Sequence, residues 1–462
     1  MTDLFLAAFL AGLLALGLRR PFVWVLAYLY VDIVAPQKIS WFLLASLPIS
    51  LIVFVLAFGG WLLLDDKRDS RFTWRQTILV VLLAYCGLTT VYAEMPEAAA
   101  EKWAWVWKAL VFAIFLPLTL RTRLRIEAAA LVMVLSASTI IVGGGIKTLS
   151  GGGGYGALHL LVNDNSGLNE GSIISTVAIA TIPLIAWLAR HGTVFPPDRR
   201  VKLYALALGF ACLLIPIGTQ ARTGLLCLGV LAILSLRTLK RRFLYLGMGF
   251  AVAAASVPFL PESYTARMST IESHAADQSA STRFAVWRWT LEYVADNPLG
   301  GGFEVYLKNR LAVDVVGTTG KGNSSALETK TFEEKGRAFH SSYFEMLGEQ
   351  GWPGLGLWLL LHVLGVWQME RVYRRYRRQP APQDRWIAPL AIALQQAQIV
   401  YLVGSAFVGI AFQPFCYMII ALQCGLWSWL KRRESAEAKR GRVAARQTRD
   451  ATARPALSQG VA

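Results

Sequence analysis

The chain has 462 residues, is 55% hydrophobic and 16% charged, and carries a formal net charge of +17. This composition excludes a soluble enzyme built on one core, because apolar runs of about 18 residues or more recur throughout and read as membrane spans. The positive surplus comes with no nucleic-acid recognition motif, so nucleic-acid partners are excluded as well.

Thirteen apolar segments follow one another at 3–18, 22–36, 41–64, 77–93, 103–120, 126–145, 170–189, 203–218, 224–238, 243–260, 343–370, 387–409 and 413–430. They predict an all-α, polytopic transmembrane bundle. The first two are short and read equally as a re-entrant pair, leaving about twelve full spans. No cleavable signal is expected, since the first run lacks a basic leader and ends at Arg19 and Arg20. Alternate connections hold most of the 46 lysines and arginines: 19–20, 65–75, 121–125, 190–202, 237–242, 371–385 and the tail from Lys431. That asymmetry puts this set in the cytoplasm, near anionic lipid. Cys86, Cys212, Cys227, Cys416 and Cys424 lie in apolar segments without a CxxC pair or Cys/His cluster, which argues against disulfides and structural zinc.

Five regions result: N-terminal spans (1–146), central spans with a Gly-rich outer loop (147–260), a large outer loop with a helix (261–342), C-terminal spans (343–430) and a basic tail expected to be disordered (431–462). In the first outer loop, His159 and Asp164 raise a divalent-cation possibility, weakened by the lack of a second acid at DxD spacing. Arg222 stands in a very short outer connection, where the charge bias should disfavour arginine; its planar fork suits phosphate oxygens, or else lipid headgroups.

The large outer loop contains a helical pattern at 281–296, with Ser281 as N-cap and Phe284, Trp287, Leu291 and Val294 as its apolar face. "NPLGGGF" at 297–303 ends it, and the polar 314–336 reads as a flexible loop. Arg283 and Arg288 on this helix, with Arg267 before it, are candidates for a second phosphate contact; His274 reads as a surface residue. His340 then opens the next helix, beside Arg337, and titrates near neutrality unless perturbed. Glu345 and Glu349, one turn apart, are candidates to orient His340, to bind sugar hydroxyls, or to bond a neighbouring helix. Gly351, Gly354 and Gly356 read as close helix packing. His191 and His362 carry no assignment.

Three stretches, "TQARTGLL", "RFAVWRWTLEYVADNPLGGGF" and "HSSYFEMLGEQGWPG", together resemble the O-antigen ligase and polymerase superfamily of bacterial membrane glycosyltransferases, over roughly 160–425. The start, "LRRPFVWVLAYLYVDIVAPQKIS", looks like the exosortase-associated O-glycosylation ligase branch. The resemblance implies an undecaprenyl-diphosphate-linked glycan donor, an acceptor hydroxyl on lipid A core or protein, an inner-membrane location with the site facing the periplasm, and neither metal nor cofactor. It maps the family's histidine on His340 and its two arginines on Arg222 and Arg283. Ser341 departs from the asparagine common after the histidine, and the nearby Arg288 leaves the second arginine open. The chemistry is coherent: arginines stabilise charge growing on a departing diphosphate, and a histidine takes the acceptor's proton, with inversion at the anomeric centre. The competing readings are a polysaccharide polymerase and a transporter of lipid-linked sugar. Transport calls for charges at mid-membrane, whereas these candidates gather at one rim.

Overall fold

The computed structural model describes residues 2–40, 42–67, 70–151, 168, 170–238, 241–244, 247, 251, 278–319, 326–378 and 380–452. Its helices are α1 (Thr2–Arg19), α2 (Phe22–Val34), α3 (Pro36–Ile39), α4 (Ile49–Leu63), α5 (Trp74–Val91), α6 (Pro96–Thr119), α7 (Arg123–Leu149), α8 (Gly171–His191), α9 (Arg199–Gly218), α10 (Arg222–Leu236), α11 (Gln278–Asp296), α12 (Ser342–Tyr376), α13 (Ile387–Ser405) and α14 (Pro414–Thr452). Helix starts follow local chemistry. Thr73 and Gln76 form a reciprocal capping box on α5. Thr122 accepts from Arg125 N–H at 3.3 Å on α7, and Glu170 accepts from Ile173 N–H at 2.8 Å on α8.

Every expected span has its helix except 243–260, nearly all of which falls outside the described residues. Six described helices, α5, α6, α7, α8, α9 and the one ending at Ser405, are long and apolar enough by length and composition to cross a membrane. The chain is therefore an all-α polytopic bundle. α2, α4 and α10 are shorter, at 13 to 15 residues. The span expected to begin at 41 starts only at Ile49, behind Pro48. α8 lies deepest, with 83% of its apolar window buried, while only 28% of α9's is, leaving Leu203, Leu206 and Phe210 outward.

The basic connections meet at one end of the bundle, as their alternation requires. Arg125 binds Asp65 through two bonds of 2.7 and 2.8 Å. Arg123 donates to the His191 carbonyl at 2.9 Å, Arg237 grips Glu370 with two bonds of 2.7 Å, and Arg433 grips Asp384. Bidentate pairs of this kind have fixed geometry. They join the loop before α5 to α7, α7 to the end of α8, the end of α10 to α12, and the loop before α13 to α14, so helix polarity alternates as the sequence implied.

The opposite end carries the outer segment, and here the expectations need correction. Residues 310–319 and 326–335 form an antiparallel hairpin, from Arg310 opposite Lys335 to Thr319 opposite Ala326, where a flexible loop was expected. Cross-strand backbone bonds override the polar composition. α11 begins at Gln278, so Ser281 lies inside it. Its buried stripe is Thr282, Val286, Thr290 and Val294, whereas Phe284 and Leu291 are 66% and 49% exposed. Thr290 of α11 comes within 3.3 Å of where a Gly348 side chain would sit, beside the Phe339 ring at 2.7 Å.

α11 does end where "NPLGGGF" begins, and the glycines then dock on α12. Gly351 breaks α12 with φ +62° and ψ −169°. The carbonyls freed there accept from the triglycine: Gly301 N–H to Gly348 at 3.0 Å and Gly302 N–H to Glu349 at 2.9 Å. Trp352 N–H returns a bond to the Pro298 carbonyl at 3.0 Å. Gly351 is thus a backbone break that also admits the 298–300 backbone rather than a neighbouring helix, and Gly356 is exposed, with open space within 4 Å of where a Cβ would stand. Gly351→Ala would set a Cβ 2.3 Å from the Pro298 carbonyl at a positive φ. Its expected cost is about 3 kcal/mol. Gly356→Ala should stay within about 1 kcal/mol of wild type, since alanine favours the helix there. Apparent melting midpoints of the two purified variants in detergent check the contrast.

Candidate active site

The head of α12 is held from two sides. On one, Ser342 Oγ donates to the Val408 carbonyl at 3.0 Å and accepts from Ile410 N–H at 2.9 Å. On the other, Trp287 of α11 donates from Nε1 to the Phe339 carbonyl at 2.9 Å and stacks its ring on Phe344 at 4.8 Å. Phe339 itself is buried among Val286, Val305 and Leu311.

His340 sits between these anchors. It is not in α12, which starts two residues later at Ser342, but in a left-handed turn with φ +49°. That conformation is uncommon for a non-glycine residue and persists only when its surroundings fix it. The imidazole is half-buried. Burial, then the positive charges of Arg283 and Arg337, push its pKa down to about 4. At neutral pH it is therefore unprotonated and able to accept a proton.

Arg283 stands one turn before Trp287 and is half-buried. Arg288 is five residues further, about 140° around the helix. Its side chain is 83% exposed and pairs with Glu292 at 3.0 Å, so the structure brings Arg283 and not Arg288 to His340. Arg337 is held through its backbone, donating its N–H to Asn309 Oδ1 at 2.9 Å and accepting from Nδ2 at 2.7 Å; its side chain lies 3.5 Å from Glu334.

Arg222 is the first residue of α10, after Gln220 with φ +52°, and is half-buried. It shares the end of the bundle that carries His340. Ser175 at the head of α8 meets Thr219 at 2.8 Å, and Tyr343 OH donates to Leu402 near the end of α13 at 3.1 Å. A helix N-terminus adds its own partial positive charge to such an arginine. His159, Asp164, Arg267 and His274 lie outside the described residues.

Glu345 and Glu349 do not turn to His340. They bind Lys102 of α6, each at 2.7 Å from Nζ, and Glu304 joins them at 3.1 Å. Glu345 also accepts from Ala411 N–H, and Glu349 from Glu304 N–H, both at 3.0 Å. The sequence reading missed Lys102 and Glu304. A signal existed: Lys102 opens the apolar "KWAWVWKAL", where a lysine calls for a partner.

Two measurements check this geometry. In a histidine NMR titration, the His340 midpoint should lie well below the usual 6.5, and Arg283→Gln should raise it by removing a nearby positive charge. Lys102→Met should lower stability by about 3–5 kcal/mol, since it leaves three carboxylates together without a cation. Adding Glu349→Gln should recover part of the melting midpoint.

Comparison with known proteins adds two findings. Residues 1–193 match a family of unknown function (DUF5935), and residues 204–359 match the O-antigen ligase family. No curated protein matches the chain. The second match spans Arg222, Arg283 and His340 together with the Lys102-binding glutamates of α12. This match supports placing residues 204–359 in the O-antigen ligase superfamily.

Proposed function

We propose that this protein is an inverting membrane glycosyltransferase of the bacterial inner membrane, working at its periplasmic face. It moves a glycan from undecaprenyl diphosphate to an acceptor hydroxyl on lipid A core or protein. The observation that carries this reading is His340, held by its backbone beside Arg283 with its imidazole kept neutral.

In the reaction, the acceptor hydroxyl oxygen attacks the anomeric carbon from the face opposite the diphosphate. Its proton passes to His340 as the new C–O bond forms. The bond to the diphosphate oxygen breaks with its electron pair, and undecaprenyl diphosphate leaves. Arg283 and Arg222 offset the charge that grows on that oxygen, more in the transition state than in the bound donor. Glu345 and Glu349 support the site by fixing α12 to α6. The proposed step routes no charge through a metal, and activity is expected to survive EDTA.

Donor binding also tunes the base. A diphosphate beside Arg283 and Arg337 cancels the positive field that depresses the imidazole, so His340 becomes more basic when the donor is present. The acid limb of kcat/KM, which reports the free enzyme, should accordingly fall near pH 4, and that of kcat at higher pH.

The test is transfer of the glycan in strains lacking the gene and complemented with variants. His340→Ala should lower transfer about 100- to 10,000-fold. Arg283→Ala should lower it about 100- to 1,000-fold, and Arg288→Ala less than tenfold. Full activity of His340→Ala at wild-type protein levels would overturn the assignment of the base. Glycan loss confined to lipid A core, or confined to proteins, selects the acceptor; chains stopped at one repeat unit would select a polymerase.

A further inference from the structure

Beside the candidate active site lies a second polar cavity of about 580 Å³, bounded by α3, α6, the 304–307 turn, the head of α12 and the 409–413 loop. Its volume is within the range of about 300–1,000 Å³ usual for small-molecule sites. Three carboxylates, Glu101, Glu304 and Glu345, line it against two ammonium groups, Lys38 and Lys102. Glu349 stands behind Lys102 at 2.7 Å. The wall is thus rich in hydrogen-bonding groups of both kinds, with negative charge in excess.

Two further features point to a ligand. Gln413 lines the cavity and is fully buried. Its Oε1 accepts from Phe415 N–H at 2.8 Å, but its Nε2 has no hydrogen-bond partner. A buried amide donor left unmade is costly, and a ligand oxygen would complete it. Trp105, Tyr306 and Phe412 also line the wall, offering aromatic faces next to the carboxylates. Hydroxyl-rich rings need this combination: acceptors for their O–H groups, donors for their oxygens and flat apolar surface for their C–H faces.

We propose that this cavity binds a sugar ring of the acceptor, and that the ring is neutral or carries an amino group. The inference rests on the glycosyl-transfer reading and narrows it, because it makes the attacking hydroxyl a sugar hydroxyl. Charge separates the two substrates. The excess carboxylate repels a diphosphate, which goes to the arginine side of His340, and admits an uncharged or cationic ring on the other. Glu345 lines the cavity and belongs to the turn of α12 that follows His340, which puts the cavity and the imidazole at the same end of α12.

The test measures binding apart from catalysis. Full-length protein in lipid nanodiscs is titrated with methyl glucoside, methyl glucosaminide and methyl glucuronide, followed by tryptophan fluorescence and calorimetry. The first two should bind with Kd on the order of millimolar, and the glucuronide at least tenfold more weakly. Trp105→Ala and Gln413→Leu should each weaken binding tenfold or more with melting midpoints retained, while His340→Ala leaves it unchanged. In transfer assays, Trp105→Ala should raise the acceptor KM about tenfold and leave the donor KM alone. No binding at 100-fold higher concentration (about 0.1 M), preference for the glucuronide, or binding indifferent to both cavity variants would overturn the proposal. Binding as described in a protein that transfers no glycan would leave the sugar site standing and remove the transferase reading. Transfer with an unchanged acceptor KM in Trp105→Ala would do the reverse.

Discussion

One ammonium group ties the outer end of this bundle together. Lys102 of α6 gathers Glu345 and Glu349 from α12 and Glu304 from the turn after the triglycine, at 2.7, 2.7 and 3.1 Å. None of these groups is stable alone at that depth; a buried charge needs a partner, and here each one has it. The cluster fixes the rotation of α12 against α6. His340 takes its left-handed turn just before the helix held in this way.

The glycines complete the same joint. Gly351 interrupts α12 and frees the Gly348 and Glu349 carbonyls, and the amides of Gly301 and Gly302 fill them. Side chains at these positions would collide, since a Cβ on Gly300 falls 2.4 Å from Gly351 N and one on Gly302 falls 2.5 Å from Ala93 Cβ. Two glycine-rich stretches about fifty residues apart in sequence are therefore one structural unit. Carboxylate bonds on one side and backbone bonds on the other leave little freedom for the residues between them.

Charge then divides the outer end into two faces. Burial, and after it the positive charges of Arg283 and Arg337, hold the His340 imidazole neutral. The cavity past Glu345 is lined by more carboxylates than ammonium groups. Groups of opposite charge have different electrostatic needs, and two faces of differing charge at one end of the bundle can meet both.

The bundle and its alternating polarity were legible in the sequence. Apolar run length and the spacing of basic loops report directly on burial in a bilayer, residue by residue, whatever the helices pack against. The 310–335 hairpin was not legible, because polar composition does not reveal strands held by cross-strand backbone bonds. Nor was the inward face of α11, where Thr290 packs closely and Phe284 does not. Tertiary structure alone decided that Glu345 and Glu349 belong to Lys102 rather than His340, and that Arg283 rather than Arg288 faces the base. The Lys102 pairings depend on the rotation of one helix against another more than two hundred residues away, which no local pattern encodes.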